Sequence, residues 1–199
     1  MMRVESGSQQ PLEGMTRQAY TVSVLQANVY SFVTGLGPAL LGLAGYVAVW
    51  DVQGLGRGMI SLSLWGMLLV AVVGIVVHEL LHGVGWLAAG RLPREAVKLG
   101  FQWKVLTPYA HARVPMPARA YRWGVALPGL ALGILPMLLG IVVGNGTLLA
   151  FGFFFTFTAG GDFLVLWLLR RVPGTALVED HPSEVGGYVY RRDTVAGGA

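Results

Sequence analysis

The sequence predicts an all-α membrane protein of about four transmembrane helices with both termini on the cytoplasmic side. Three observations predict it: an apolar composition, long uninterrupted apolar blocks, and basic residues confined to alternate connections. Of 199 residues, 54% are hydrophobic and 12% charged, about half the ~25% charge of soluble domains, and the mean hydropathy is +0.61. The apolar residues come in blocks rather than alternating with polar ones, as spanning helices require. One transmembrane domain, residues 31–170, is therefore expected between a cytoplasmic N-terminal segment, 1–30, and a cytoplasmic tail, 171–199.

In chain order, the first 29 residues are mostly polar, with Arg3 and Arg17 and no early apolar core. They do not read as a cleavable signal peptide, so the first apolar block is expected to be an uncleaved anchor. The blocks are residues 31–50, 59–90, 123–143 and 147–169, each near or above the ~20 residues that cross a bilayer. The second would be about 48 Å long as a helix, against a hydrocarbon core of ~30 Å, so it must tilt, bend or protrude. Pro128 and Pro136 are expected to kink the third. Gly144-Asn145-Gly146 suits a tight hairpin between the third and fourth, and Gly160-Gly161 loosens the fourth just before Asp162.

Between the second and third blocks, residues 97–116 are neither a span nor a plain linker. Lys98-Leu99-Gly100-Phe101-Gln102-Trp103-Lys104-Val105 roughly alternates, and Thr107-Pro108 can turn it back. That pattern suits a short β-hairpin or an amphipathic interfacial segment anchored by Trp103 and Tyr109.

With the N-terminus inside, the inner segments hold thirteen of the fourteen Lys and Arg residues, and the outer segments only Arg57. The positive-inside rule then gives an N-in, C-in topology. This distribution also disposes of nucleic acid as a partner for a chain of pI ≈ 9.7, because the basic residues flank apolar blocks instead of forming one patch. Gly83, Gly90 and Gly140 serve packing within one bundle as readily as association, so no oligomeric state is assigned.

Four ionisable residues lie inside the apolar blocks: His78, Glu79, His82 and Asp162. Each costs about 2.5 to 3.5 kcal/mol at a helix centre, so three on one helix call for a compensating partner such as a metal ion. In His78-Glu79-Leu80-Leu81-His82 the histidines stand at i and i+4, on one helix face about 6 Å apart, where two imidazoles can converge on one cation. Glu79 projects beside them, where it can take a proton from a water activated by that cation. The chain has no cysteine, which leaves imidazole and carboxylate as ligands for zinc.

A catalytic zinc takes three protein ligands, and Asp162 is the expected third. His82 lies 9 residues before Arg91 and Asp162 lies 8 before Arg170, so both fall roughly 12 to 14 Å above the cytoplasmic boundary. His181, Glu184, Glu179 and His111 are alternatives that could fold back from outside the membrane. The extended three-histidine pattern matches at Gly85 but fails at Ala88. No oxyanion stabiliser is identifiable.

With these residues in hand, the chain resembles the bacterial putative zincin peptidase family, small membrane proteins similar in layout to site-2 proteases. The resemblance rests on the His78–His82 segment, the Pro-containing third block, Gly161-Asp162, and a tail reading Asp180-His181-Pro182 with Gly186 and Tyr190. It implies Zn2+ held by His78, His82 and Asp162, Glu79 as catalytic base, and hydrolysis of membrane-protein or peptide substrates near the cytoplasmic face of a prokaryotic inner membrane. Asp162 departs from the site-2 pattern in being followed by Phe163 rather than glycine. The tail motif is expected to dock beneath the site, with His181 as a gate the second reading. Two other classes compete: a metal-ion or proton transporter, which usually shows repeated discontinuous helices, and a zinc-binding membrane adaptor without catalysis, for which Glu79 would be dispensable.

Overall fold

The computed structural model describes residues 14–60, 62–103 and 107–192; Arg3 and Lys104-Val105 lie outside the described residues. Strand β1, Met15–Val22, leads into α1, Val24–Trp50, through Ser23. Ser23 and Gln26 form a reciprocal capping box, which starts the helix seven residues before the apolar block by satisfying its first N–H groups. Helix α2, Leu64–Gly90, is capped by the Ser63 hydroxyl, which accepts from the Gly66 N–H at 3.2 Å. The long second block thus yields 27 helical residues, about 40 Å, with residues 59–63 left as a connection.

After α2 come β2, Val97–Gln102, and β3, Thr107–Ala112, an antiparallel hairpin with Leu99 opposite Ala110. Of the two readings of this stretch, the structure has the hairpin, with Thr107 and Pro108 paired inside β3 rather than turning the chain as expected. Strand β4, Met116–Pro117, precedes α3, Ala118–Pro128. A wide π turn, Gly129–Ile134, joins α3 to α4, Leu135–Val143. The turn lies just before Pro136, whose missing N–H cannot close the ordinary helical ladder. Helix α5, Gly146–Thr158, follows a tight turn in which the Asn145 side chain accepts from the Leu148 N–H at 3.0 Å. Helix α6, Gly160–Leu169, is followed by β5, Leu177–Asp180, and β6, Val185–Arg192.

Among the described residues, three helices are long and apolar enough to cross a membrane: Val24–Trp50, Leu64–Gly90 and the α3–α4 unit Ala118–Val143. A fourth is added if α5 and α6, bent by 51° at their junction, form one broken span. The bend has a packing cause. A Cβ on Gly160 would lie 2.0 Å from the Ser31 carbonyl oxygen, and one on Gly35 2.2 Å from that of Phe157, so α1 touches the junction backbone to backbone. The Gly160 carbonyl also accepts from the Thr34 hydroxyl of α1 at 2.6 Å.

The protein is mostly helical, but it is not all-α. An antiparallel sheet runs in the order β1-β6-β5-β4, with Ala19 opposite Tyr188 and Val178 opposite Val189. Long apolar blocks give no sign of such a sheet, because its strands are short, partly polar and paired across most of the chain. It gathers the segments before α1, before α3 and after α6 at one end of the bundle. Met116, Tyr121, Leu169, Val178 and Val189 are buried there in one core cluster with Trp86. Arg122 closes the same end: its Nη1 donates to the carbonyls of Leu169 at 3.0 Å and Val172 at 2.8 Å, capping α6 with a cation.

Candidate metal centre

Helix periodicity puts His78 and His82 on one face of α2, their ring centroids 4.9 Å apart. Opposite them, the break at Gly160 starts α6 just before Asp162, which stands in its first turn, where the positive end of the helix dipole favours a carboxylate. The two helices bring the three side chains together. His78 Nε2 lies 3.0 Å from Asp162 Oδ2, and His82 Nε2 lies 3.2 Å from Asp162 Oδ1. The expected match in depth between His82 and Asp162 is thus a direct contact.

The ligand atoms offered by His78, Glu79 and His82 all lie within 4.8 Å of one another. Ligand atoms of a tetrahedral zinc with bonds of ~2.0–2.1 Å stand about 3.3 Å apart, close to the two histidine–aspartate separations. Asp162 Oδ2 is moreover buried with no well-formed hydrogen bond, its near neighbour being His78 Nε2 at 3.0 Å, an arrangement that a cation between the two atoms would complete. The donor set of two imidazoles and one carboxylate therefore fits zinc.

The supporting groups escaped sequence reasoning. His82 Nδ1 lies 3.0 Å from the Gly124 carbonyl; a carbonyl only accepts, so Nδ1 is the donor there and Nε2 is the ring atom presented to Asp162. Trp86 stacks on His82 at 5.4 Å and 16°, and donates its indole N–H to the Tyr121 carbonyl at 3.1 Å. A signal for Trp86 existed, since it follows His82 by the same four residues that separate His82 from His78. Nothing in the sequence marks Gly124.

Glu79 accepts the Ala110 N–H of β3 at 2.7 Å through Oε2. Asp180, at the end of β5, accepts the Ala112 N–H at 2.7 Å and the Tyr121 hydroxyl, and lies 3.5 Å from His111 Nδ1. Burial raises the Asp180 carboxyl above its ordinary value, opposed by Tyr121, Ala112 and His111. Docking of the tail beneath the site, the favoured expectation for Asp180-His181-Pro182, is what these bonds accomplish.

The four alternative third ligands each have a partner through at least one atom. His181 Nδ1 accepts the N–H groups of Ser183 and Glu184 at 3.3 and 2.9 Å, Glu184 accepts the Thr21 hydroxyl at 2.5 Å, Glu179 accepts the Tyr190 hydroxyl, and His111 faces Asp180. A cavity of about 270 Å³ opens over the centre, walled by Glu79, His82 and Asp162 on one side and by His111, Asp180, His181 and Glu184 on the other.

A family model described as putative zincin peptidase matches residues 71–177, over half of the chain and all of the centre. The chain belongs to the putative zincin peptidase family. Membership supports a metallopeptidase of the zincin type and implies zinc, in accord with the His78-Glu79-His82 cluster. The matched region ends before Asp180-His181-Pro182, so the part of the tail that lines the cavity lies beyond it. No curated protein and no solved structure matches the chain.

Proposed function

We propose that the protein is an intramembrane zinc metallopeptidase that hydrolyses peptide bonds of membrane-associated substrates. The observation that carries this reading is the convergence of His78 Nε2, His82 Nε2 and both Asp162 oxygens from two helices, with the Glu79 carboxylate in the same cavity. Zinc held by His78, His82 and Asp162 would polarise the scissile carbonyl and acidify a water beside it. Glu79, on the cavity wall, accepts a proton from that water as its oxygen attacks the carbonyl carbon. When the C–N bond breaks and its electron pair goes to nitrogen, Glu79 returns the proton to the leaving amine. The Ala110 N–H steadies the carboxylate for both transfers.

Helices joined merely by hydrogen bonds would account for the His–Asp contacts but give no reason for an acid at 79 to line a cavity beside them. A membrane location is supported by the helix surfaces. Leu68, Leu69, Val72, Val73, Val76, Leu80 and Val84 of α2 are all exposed, an apolar patch that water would not tolerate. Together with the positive-inside count, this supports an inner-membrane protein with both termini, the sheet and the mouth of the cavity on the cytoplasmic side.

A substrate strand added to the hairpin would have to contend with the edge as it stands: the outward N–H groups of Ala110 and Ala112 are already bonded to Glu79 and Asp180. Such a strand pairs at Ala110 only by displacing the base.

The test uses the full chain in detergent. Wild type and Glu79→Gln are expected to hold one equivalent of zinc by mass spectrometry, with cleavage of apolar helical peptides lost in Glu79→Gln. His78→Ala and Asp162→Asn are expected to lose both zinc and cleavage. Undiminished cleavage by Glu79→Gln would sink the reading.

A further inference from the structure

Peptide hydrolysis drives negative charge onto the carbonyl oxygen, and groups poised to meet that charge are among the largest contributors to catalysis. Resting on the peptidase reading above, we propose that His111 is a further catalytic residue of this centre: it donates a hydrogen bond from Nε2 to the oxyanion, with Asp180 as its positioning residue.

Geometry carries the assignment. His111 lines the cavity on the wall facing Glu79, His82 and Asp162, and its side chain is one-third exposed, at 33%. Its Nδ1 lies 3.5 Å from Asp180 Oδ2, and the two nitrogens flank Cε1 with their in-plane bonding directions widely divergent, so Nε2 is directed away from Asp180. No partner is seen for Nε2 among the described residues. Asp180 is itself fixed from two further elements, by the Ala112 N–H of β3 and the Tyr121 hydroxyl of α3.

The neighbouring residue sets the distance to the base. Ala110 donates to Glu79 at 2.7 Å, so one short, hydrogen-bonded stretch of β3 holds the proton acceptor and the proposed oxyanion donor in fixed relation. Other donors around the cavity are committed: the Tyr121 hydroxyl to Asp180 and the Trp86 N–H to the Tyr121 carbonyl. Among the described residues His181 is the rival, but its Nδ1 caps a turn, its ring rests on Tyr188 at 4.6 Å, and no carboxylate there is seen to orient it.

Atoms and charge balance. The water oxygen bonds to carbon, the carbonyl π pair moves onto oxygen, and Glu79 takes the proton. His111 hydrogen-bonds to that oxygen and keeps its own proton. The pair then re-forms the carbonyl as the amine leaves with the proton from Glu79.

The experiment compares zinc-loaded wild type with His111→Ala, His111→Gln, Asp180→Asn and His181→Ala, all as full chains in detergent. It reads zinc content, kcat and KM on apolar helical peptides, and calorimetric binding of two probes: a phosphinic peptide, which mimics the tetrahedral anion, and acetohydroxamate, which does not. His111→Ala is expected to lower kcat about 100-fold with KM within about threefold, and to weaken the phosphinic peptide by a similar factor. Zinc content and acetohydroxamate binding should stay unchanged.

His111→Gln, which keeps an N–H donor, should recover part of the loss. Asp180→Asn should lie between it and wild type, and His181→Ala within about threefold of wild type. The proposal is overturned if His111→Ala keeps kcat, if it loses zinc, if both probes weaken alike, or if His181→Ala carries the loss instead. Should wild type cleave none of the peptides, the peptidase reading fails by itself, and the phosphinic-peptide comparison still decides the role of His111.

Discussion

His82 depends on a residue with no side chain. Gly124 supplies the carbonyl that fixes the His82 tautomer, and a Cβ at 124 would lie 2.2 Å from Trp86 Cδ1, the ring stacked on the same histidine. A Cβ on Gly85 would likewise lie 2.6 Å from the Gly124 Cα, so α2 and α3 meet there at backbone distance. Gly124→Ala must therefore push α3 or Trp86 away and lengthen the bond that orients His82. Losing such a supporting contact typically costs 10- to 100-fold in metal affinity. The same fall is expected for zinc measured by chelator competition, along with about 1 to 3 kcal/mol of stability from overpacking. The Gly124→Ala, Trp86→Ala double variant should regain part of the stability, because the clashing ring is gone.

At the scale of an element, β3 shows how a strand too short to be stable by itself becomes part of the candidate centre. One edge pairs with β2, and the N–H groups of the other go to two carboxylates, Glu79 and Asp180. The Ala110 N–H is outside the β2–β3 ladder, so Ala110→Pro removes the bond to Glu79 while leaving that ladder intact. A hydrogen bond to a charged group contributes about 1.5–3 kcal/mol, and loss of orientation at the base is expected to lower kcat about tenfold to a hundredfold. Zinc content should match wild type. Equal kcat in the two proteins would show that Glu79 needs no support from the strand. The α5–α6 break is the other decisive element, since without it Asp162 would continue α5 rather than open a new helix beside α2.

The molecule as a whole is closed by strands from its two ends, β1 on β6, and the sheet they form roofs the cavity. Tyr190 ties β6 to β5 through its bond to Glu179. Burial and then that carboxylate push the phenol up to about 12, from an ordinary value of about 10. The folded state thus keeps a proton that the unfolded chain gives up first. The resulting stability is fully present below about pH 10 and is lost as pH rises towards about 12. Thermal unfolding followed across that window should show a steeper decline for wild type than for Tyr190→Phe, and identical slopes would refute the assignment.

The sequence by itself determined the apolar spans, the hairpin turn at Asn145, and the four ionisable residues of the bundle. All are local: a run of apolar residues, a turn-forming triplet, and an i, i+4 pair each announce themselves within a few residues. It reached Asp162 by depth because rise per residue is fixed in a helix. Only the tertiary structure decided that β1 pairs with β6, that Gly124, Ala110 and Tyr121 serve the centre with backbone or hydroxyl groups, and that Asp180 holds His111 over it. Those contacts join segments tens to more than a hundred residues apart, and several use main-chain atoms that every residue possesses, so their roles were set by packing and left no mark in the order of side chains.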